Sequence, residues 1–109
     1  HLPGYIKNAQ SIKAKGVDTI ACMSVNDVFV MDAWAKDQGA GDQVQLLADG
    51  NADYVKSLGL QLDASGFGMG TRGERFAIVV KDGVVEQLHR EAAPSDVKES
   101  SAENILANL

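Results

Sequence analysis

Asp82-Gly83 constrains this chain more than any other pair of residues. It separates two apolar β-type runs, near 75–81 and 83–89, and an Asp-Gly pair in that setting is a strong hairpin signal. Upstream of it, helical and strand patterns alternate. Residues 4–15 predict a helix with Tyr5, Ile6, Ala9, Ile12 and the stem of Lys13 on one face, and Gly16 stands where a left-handed residue ends it. Residues 17–25 form a short, nearly continuous apolar run, the pattern of a strand buried on both faces. Asn26 then predicts an N-cap for a helix whose apolar stripe is Phe29, Val30, Ala33 and Trp34, ending at Gly39-Ala40-Gly41.

Residues 43–48 predict a second strand, and Asp49 or Asn51 caps a short helix that stops at Gly59. A Gly-rich loop leads into the hairpin. A polar stretch with Pro94 leads out of it to a last helix, where Ser100-x-x-Glu103 forms a capping box before Ile105, Leu106 and Leu109. The order is α, β, α, β, α, hairpin, α.

With 109 residues, 45% apolar and 23% charged, the chain fits one domain of an ordinary globular protein. Its net charge of −5 provides no basic stripe for phosphates, which argues against nucleic acid as a partner. Lys7, Lys13 and Lys15 are the one local basic cluster and read as a solvated helix face. No apolar run approaches the length of a membrane span. A single Cys cannot form an internal disulfide, which fits a reducing compartment.

Several patterns point to chemistry they do not support. Gly68-Met69-Gly70-Thr71-Arg72-Gly73 spells the GxGxxG fingerprint, yet the next element is a strand, with no helix N-terminus to receive a pyrophosphate. No cofactor is expected. His1, His89 and Cys22 are too few and too scattered for a metal site. Asp49, Asp53 and Asp63 lack the spacing of a calcium loop and read as caps and turn residues. The serines lack a nucleophile-elbow context.

Three segments carry a resemblance. His1-Leu2-Pro3-Gly4-Tyr5, Ile20-Ala21-Cys22-Met23-Ser24-Val25-Asn26-Asp27 and Arg75-Phe76-Ala77-Ile78-Val79-Val80-Lys81-Asp82-Gly83 together resemble the peroxiredoxin-5 branch of the thiol peroxidases, the AhpC/TSA or redoxin group. The likeness is dense in 1–34 and 75–88 and looser in 60–73 and 90–99. It implies an α/β fold, a thioredoxin-like mixed sheet flanked by helices, which the element order also matches.

In that family a strand and a Thr-Pro-x-Cys turn, carrying the peroxide-reducing cysteine, precede a chain resembling this one. The strand lies inside the sheet, between the counterparts of 17–25 and 75–81. The expectation is therefore that 1–109 is the C-terminal two-thirds of a single domain, lacks an interior strand and the attacking sulfur, and does not fold or turn over alone.

The resemblance also implies residue roles. Arg75 activates the thiolate and holds peroxide, since a fixed cation lowers a thiol pKa and a planar fork of donors suits both peroxide oxygens. The bland alternative is a surface Arg paired with Glu74 or with solvent. Cys22 matches a resolving cysteine of some plant-type relatives, although within Ile-Ala-Cys-Met-Ser it reads at least as well as a core residue. Glu99 stands at the other resolving position. Phe67 and Met69 border the pocket as an apolar approach for alkyl hydroperoxides. Phe29 and Trp34 lie on a helix that takes part in a homodimer. The implied activity is reduction of hydrogen peroxide and alkyl hydroperoxides through a sulfenic acid, recycled by thioredoxin, glutaredoxin or glutathione, in the cytoplasm or an organelle. The competing reading is a catalytically silent thioredoxin-like module, or half of a split assembly.

Overall fold

The computed structural model describes all of residues 1–109. The elements, in chain order, are α1 (Leu2–Ala14), β1 (Ala21–Ser24), α2 (Val28–Gln38), β2 (Gln45–Ala48), α3 (Asp53–Ser57), β3 (Gln61–Asp63), a 3-10 turn (Ser65–Phe67), β4 (Thr71–Gly73), β5 (Phe76–Lys81), β6 (Val84–Arg90) and α4 (Ala102–Asn108). The hairpin closes as expected. Asp82 at φ 53° and Gly83 at φ 77° supply the two positive φ values of a type I′ turn, which matches the right-handed twist of the strands. A bulge interrupts the ladder between Val79 and Val80.

Strands pair in three separate two-stranded ladders: β1–β2 parallel, β3–β4 antiparallel and β5–β6 antiparallel. The β3–β4 ladder lies where the sequence predicts only a Gly-rich loop. Its strands are three residues each, too short for alternation to show. The core consists of Leu2, Ala9, Ile12, Ile20, Val44 and Ala102, with Tyr5, Ile6, Cys22, Trp34 and Leu46 packed against it. α1 and α4 lie side by side, close enough that a Cβ on Gly4 would sit 3.8 Å from that of Ala102.

The two larger ladders each keep an open edge. The carbonyls of Ile20 and Ser24 accept from Gln45 N and Asp49 N, both at 2.9 Å, so even-numbered residues of β1 bond toward β2. By the two-residue period, Ala21 and Met23 direct their N–H and C=O groups away from it. In the hairpin, Glu91 N–H donates to the Arg75 carbonyl at 3.0 Å, so odd-numbered residues bond toward β6. Phe76 and Ile78 face outward. This corrects one expectation: β1 is exposed at Ala21 and half-buried at Cys22–Ser24, not buried on both faces, since β2 alone pairs with it.

Three local expectations also shift. Asp27, not Asn26, caps α2, its carboxylate accepting from Val30 N–H at 2.8 Å. The inward face of α2 is Met31, Trp34, Ala35 and Gln38, while Phe29, Val30 and Ala33 are exposed; the i, i+3, i+4, i+7 spacing from Met31 fits equally well, and Met31 is the buried one. The cap of α4 is Ser101, which accepts from Asn104 N–H, because the Ser100 hydroxyl is taken by Glu91.

Candidate active site

Arg75 occupies the position just before β5. Its backbone is pinned twice over. Glu74 N–H donates to the Leu60 carbonyl at 2.8 Å, and Glu91 N–H donates to the Arg75 carbonyl. The side chain is exposed, and its guanidinium takes no hydrogen bond or ion pair within the chain. The pairing with Glu74 that a surface Arg would make is absent. Glu74 binds Arg90 instead, its Oε2 lying 2.6 Å from Arg90 Nη2.

Glu91, at the end of β6, links Arg75 to the start of α1. Its side chain is 1% exposed, and its carboxylate accepts from the N–H groups of Lys98, Glu99 and Ser100 and from the Ser100 hydroxyl. Burial alone would raise the carboxyl pKa. The bonds from Ser100, Glu99 and Lys98 outweigh it and hold the group down to about 2. Ser100 in turn bonds His1 Nε2, which lies 4.0 Å from Glu91 Oε2, and its carbonyl accepts from Tyr5 O–H at 2.6 Å. The Arg75 carbonyl, through the Glu91 N–H, and the first turn of α1, through Ser100, are thus fastened to the same residue. Burial, reinforced by the charges of Cys22, Glu103 and Glu91, raises the Tyr5 phenol to about 12, so it stays protonated and keeps donating.

Cys22 is half-buried in β1, packed on the core, and burial pushes its thiol pKa up. A thiol so placed is a weak nucleophile at neutral pH. Phe67 and Met69 are exposed, and the loop that carries them is fixed by a residue the sequence did not single out. Arg72 donates from Nε to the Met69 carbonyl at 2.9 Å and from Nη1 to the Val25 carbonyl and Asn26 Oδ1 at 2.9 and 3.0 Å. That guanidinium ties the 64–70 segment to the β1–α2 turn. Phe29, 81% exposed, sits one turn beyond it, whereas Trp34 is half-buried against the core. A depression near 320 Å³ is lined by Lys13, Asp18 and Gln43 and includes neither Arg75 nor Cys22.

Glu91 and Arg72 left no local signal in the sequence. Each acts through partners brought close only by the fold, the Arg72 acceptors at Val25 and Asn26 lying 47 and 46 residues away.

Comparison with known proteins fits this arrangement. The Redoxin family pattern matches residues 1–106. The chain is 46% identical over 111 residues to chloroplastic Peroxiredoxin-2E of Arabidopsis thaliana, covering all of this chain and 47% of that protein. It is 43% identical to Peroxiredoxin-2B of the same plant, covering 67% of it. Reduced Prx3 of Vibrio vulnificus, crystallised in complex with H2O2, superposes with a TM-score of 0.93 at 52% identity, over all of this chain and 69% of that one. The chain spans about half the length of the first of these relatives. No helix is long and apolar enough to cross a membrane. The match along residues 1–106 and the superposition on solved peroxiredoxins make this chain a thioredoxin-like α/β member of the redoxin family, among its peroxiredoxins.

Proposed function

We propose that residues 1–109 form the C-terminal two-thirds of a thiol peroxidase domain whose attacking cysteine is supplied from upstream of His1. The observation that carries this reading is Arg75. Its guanidinium is exposed and unpaired, and its backbone is tied through Glu91 and Ser100 to the first turn of α1. The outward-facing groups of Ala21 and Met23 on β1 and of Phe76 and Ile78 on β5 supply two free edges for a strand between them.

In this scheme the thiolate attacks one oxygen of the peroxide. The S–O bond forms as the O–O bond breaks, the sulfur becomes a sulfenic acid, and the leaving hydroxide or alkoxide takes a proton. Arg75 favours the thiolate over the thiol and donates to the peroxide oxygens as negative charge moves onto the departing one. Phe67 and Met69 provide an apolar rim suited to alkyl hydroperoxides. Cys22 serves the core, and its raised pKa disfavours a resolving role. An external thiol of the thioredoxin, glutaredoxin or glutathione class then restores the sulfur. The exposed Phe29 gives a second copy of the chain a contact on α2. Cytoplasm and organelle both suit this chemistry, and the chloroplastic relative favours neither for this chain.

Two measurements test it together. Intact protein, hydrogen peroxide and a thioredoxin or glutaredoxin system should give turnover, and residues 1–109 alone should give none. The isolated 1–109 chain should also lack a cooperative monomeric melt. Each backbone group left unpaired on folding costs about 1–3 kcal/mol, against a total domain stability of ~5–15 kcal/mol. Turnover by 1–109 alone would refute the assignment of the sulfur. No turnover by the intact protein would favour a silent interaction module.

A further inference from the structure

Arg75 has carboxylates on two sides and pairs with neither. Glu74 precedes it in the chain, and Glu91 stands across the ladder from it. A guanidinium in that position takes the nearest free anion, and one so taken has fewer donors and less positive potential to offer a thiolate or a peroxide. Both anions are engaged elsewhere. Glu91 is consumed by the amides of Lys98, Glu99 and Ser100. Glu74 is held by Arg90 at 2.6 Å. The strand period explains the second pairing. Glu74 lies two residues before Phe76, and Arg90 is the ladder partner of Phe76, so Glu74 and Arg90 leave the same face while Arg75 leaves the other.

We propose that Arg90 is a positioning residue for Arg75, holding the Glu74 carboxylate on the opposite face of the hairpin so that the Arg75 guanidinium stays free. This rests on the function proposed above. Glu74 is outside the β5–β6 ladder, its N–H bonds the Leu60 carbonyl, and its side chain, 27% exposed, has no partner besides Arg90. Without Arg90 it turns toward the adjacent cation, raises the pKa of the attacking thiol and competes with peroxide for the Arg75 donors. The Glu74–Arg90 pair is half-exposed, at 27% and 52%, so the effect is modest.

The test uses the intact protein and the second-order rate constant for hydrogen peroxide, measured across pH. Arg90→Met keeps the apolar stem and removes the charge. It should lower the rate about two- to fivefold and move the thiol ionisation to higher pH. Glu74→Gln breaks the same ion pair but leaves no anion to compete, so its rate should match wild type. The double variant should recover the wild-type rate, and Arg90→Lys should lie close to it. A loss in Glu74→Gln equal to that in Arg90→Met, or no recovery in the double variant, would make the ion pair purely structural and overturn the inference. A wild-type rate in Arg90→Met would overturn it too. Failure of the functional reading looks different: Arg75→Ala would then react with peroxide as fast as wild type, whatever Arg90 does.

Discussion

Arg72→Lys isolates what the clamp on the glycine-rich segment contributes. The Arg72 guanidinium reaches three acceptors on two segments: Met69 O through Nε, and Val25 O with Asn26 Oδ1 through a shared Nη1. An ammonium at the end of a Lys stem keeps the charge but is a single point donor, and it cannot span both segments. A typical intramolecular hydrogen bond contributes about 1 kcal/mol net. The Nη1 bonds share one nitrogen and the Nε bond is exposed, so the three together are worth about 2 kcal/mol and the Lys variant loses ~1–1.5 kcal/mol of it. Equilibrium denaturation of the intact protein measures the loss, and the denaturant slope should stay unchanged because the fold is the same. A double-mutant cycle with Asn26→Ala should return a coupling of at least ~0.5 kcal/mol, since the two side chains touch. Wild-type stability in Arg72→Lys, or zero coupling, would show that the clamp does not hold the segment.

Two further outcomes follow from the core and from the buried carboxylate. Leu2 is 1% exposed in the core cluster it shares with Ala102 of α4, so Leu2→Ala should cost the intact protein ~2–5 kcal/mol in denaturant titrations; a loss under ~1 kcal/mol would mean that α1 is loosely docked. Glu91 is held down to about 2 from a usual 4.5, so the stability it contributes is complete above pH 4.5 and is lost as pH falls through 2. Glu91→Gln should therefore lower stability at neutral pH and flatten its fall over that acid window, and an unchanged acid limb in the variant would contradict the assignment.

Apart from the short β3–β4 ladder, the element order was legible in the sequence because it rests on short-range chemistry: the Asp82-Gly83 turn, Gly16 and Gly39 at helix ends, and apolar runs of strand length. Frames within elements were less so. Asn26 and Asp27 are both good caps, as are Ser100 and Ser101, and in the second pair a partner distant in sequence decides. Glu91 takes the Ser100 hydroxyl and leaves Ser101 to the helix. On α2, two faces have similar apolar content, and only the docking of Met31 and Trp34 selects between them. The site divides along the same line. Arg75 was visible through its β5 context, whereas Glu91, Arg72 and the Glu74–Arg90 pair depend on contacts that no local pattern encodes.

The most direct measurement is the rate constant for hydrogen peroxide in the intact protein with and without the Arg75 guanidinium. Removing one preorganised donor at a site of developing negative charge costs about 10²–10³ in rate, so Arg75→Ala should react at least ~100-fold more slowly while its stability changes little. A rate within about twofold of wild type, in a variant that remains folded, would contradict the role given to Arg75 and with it the proposed peroxidase site.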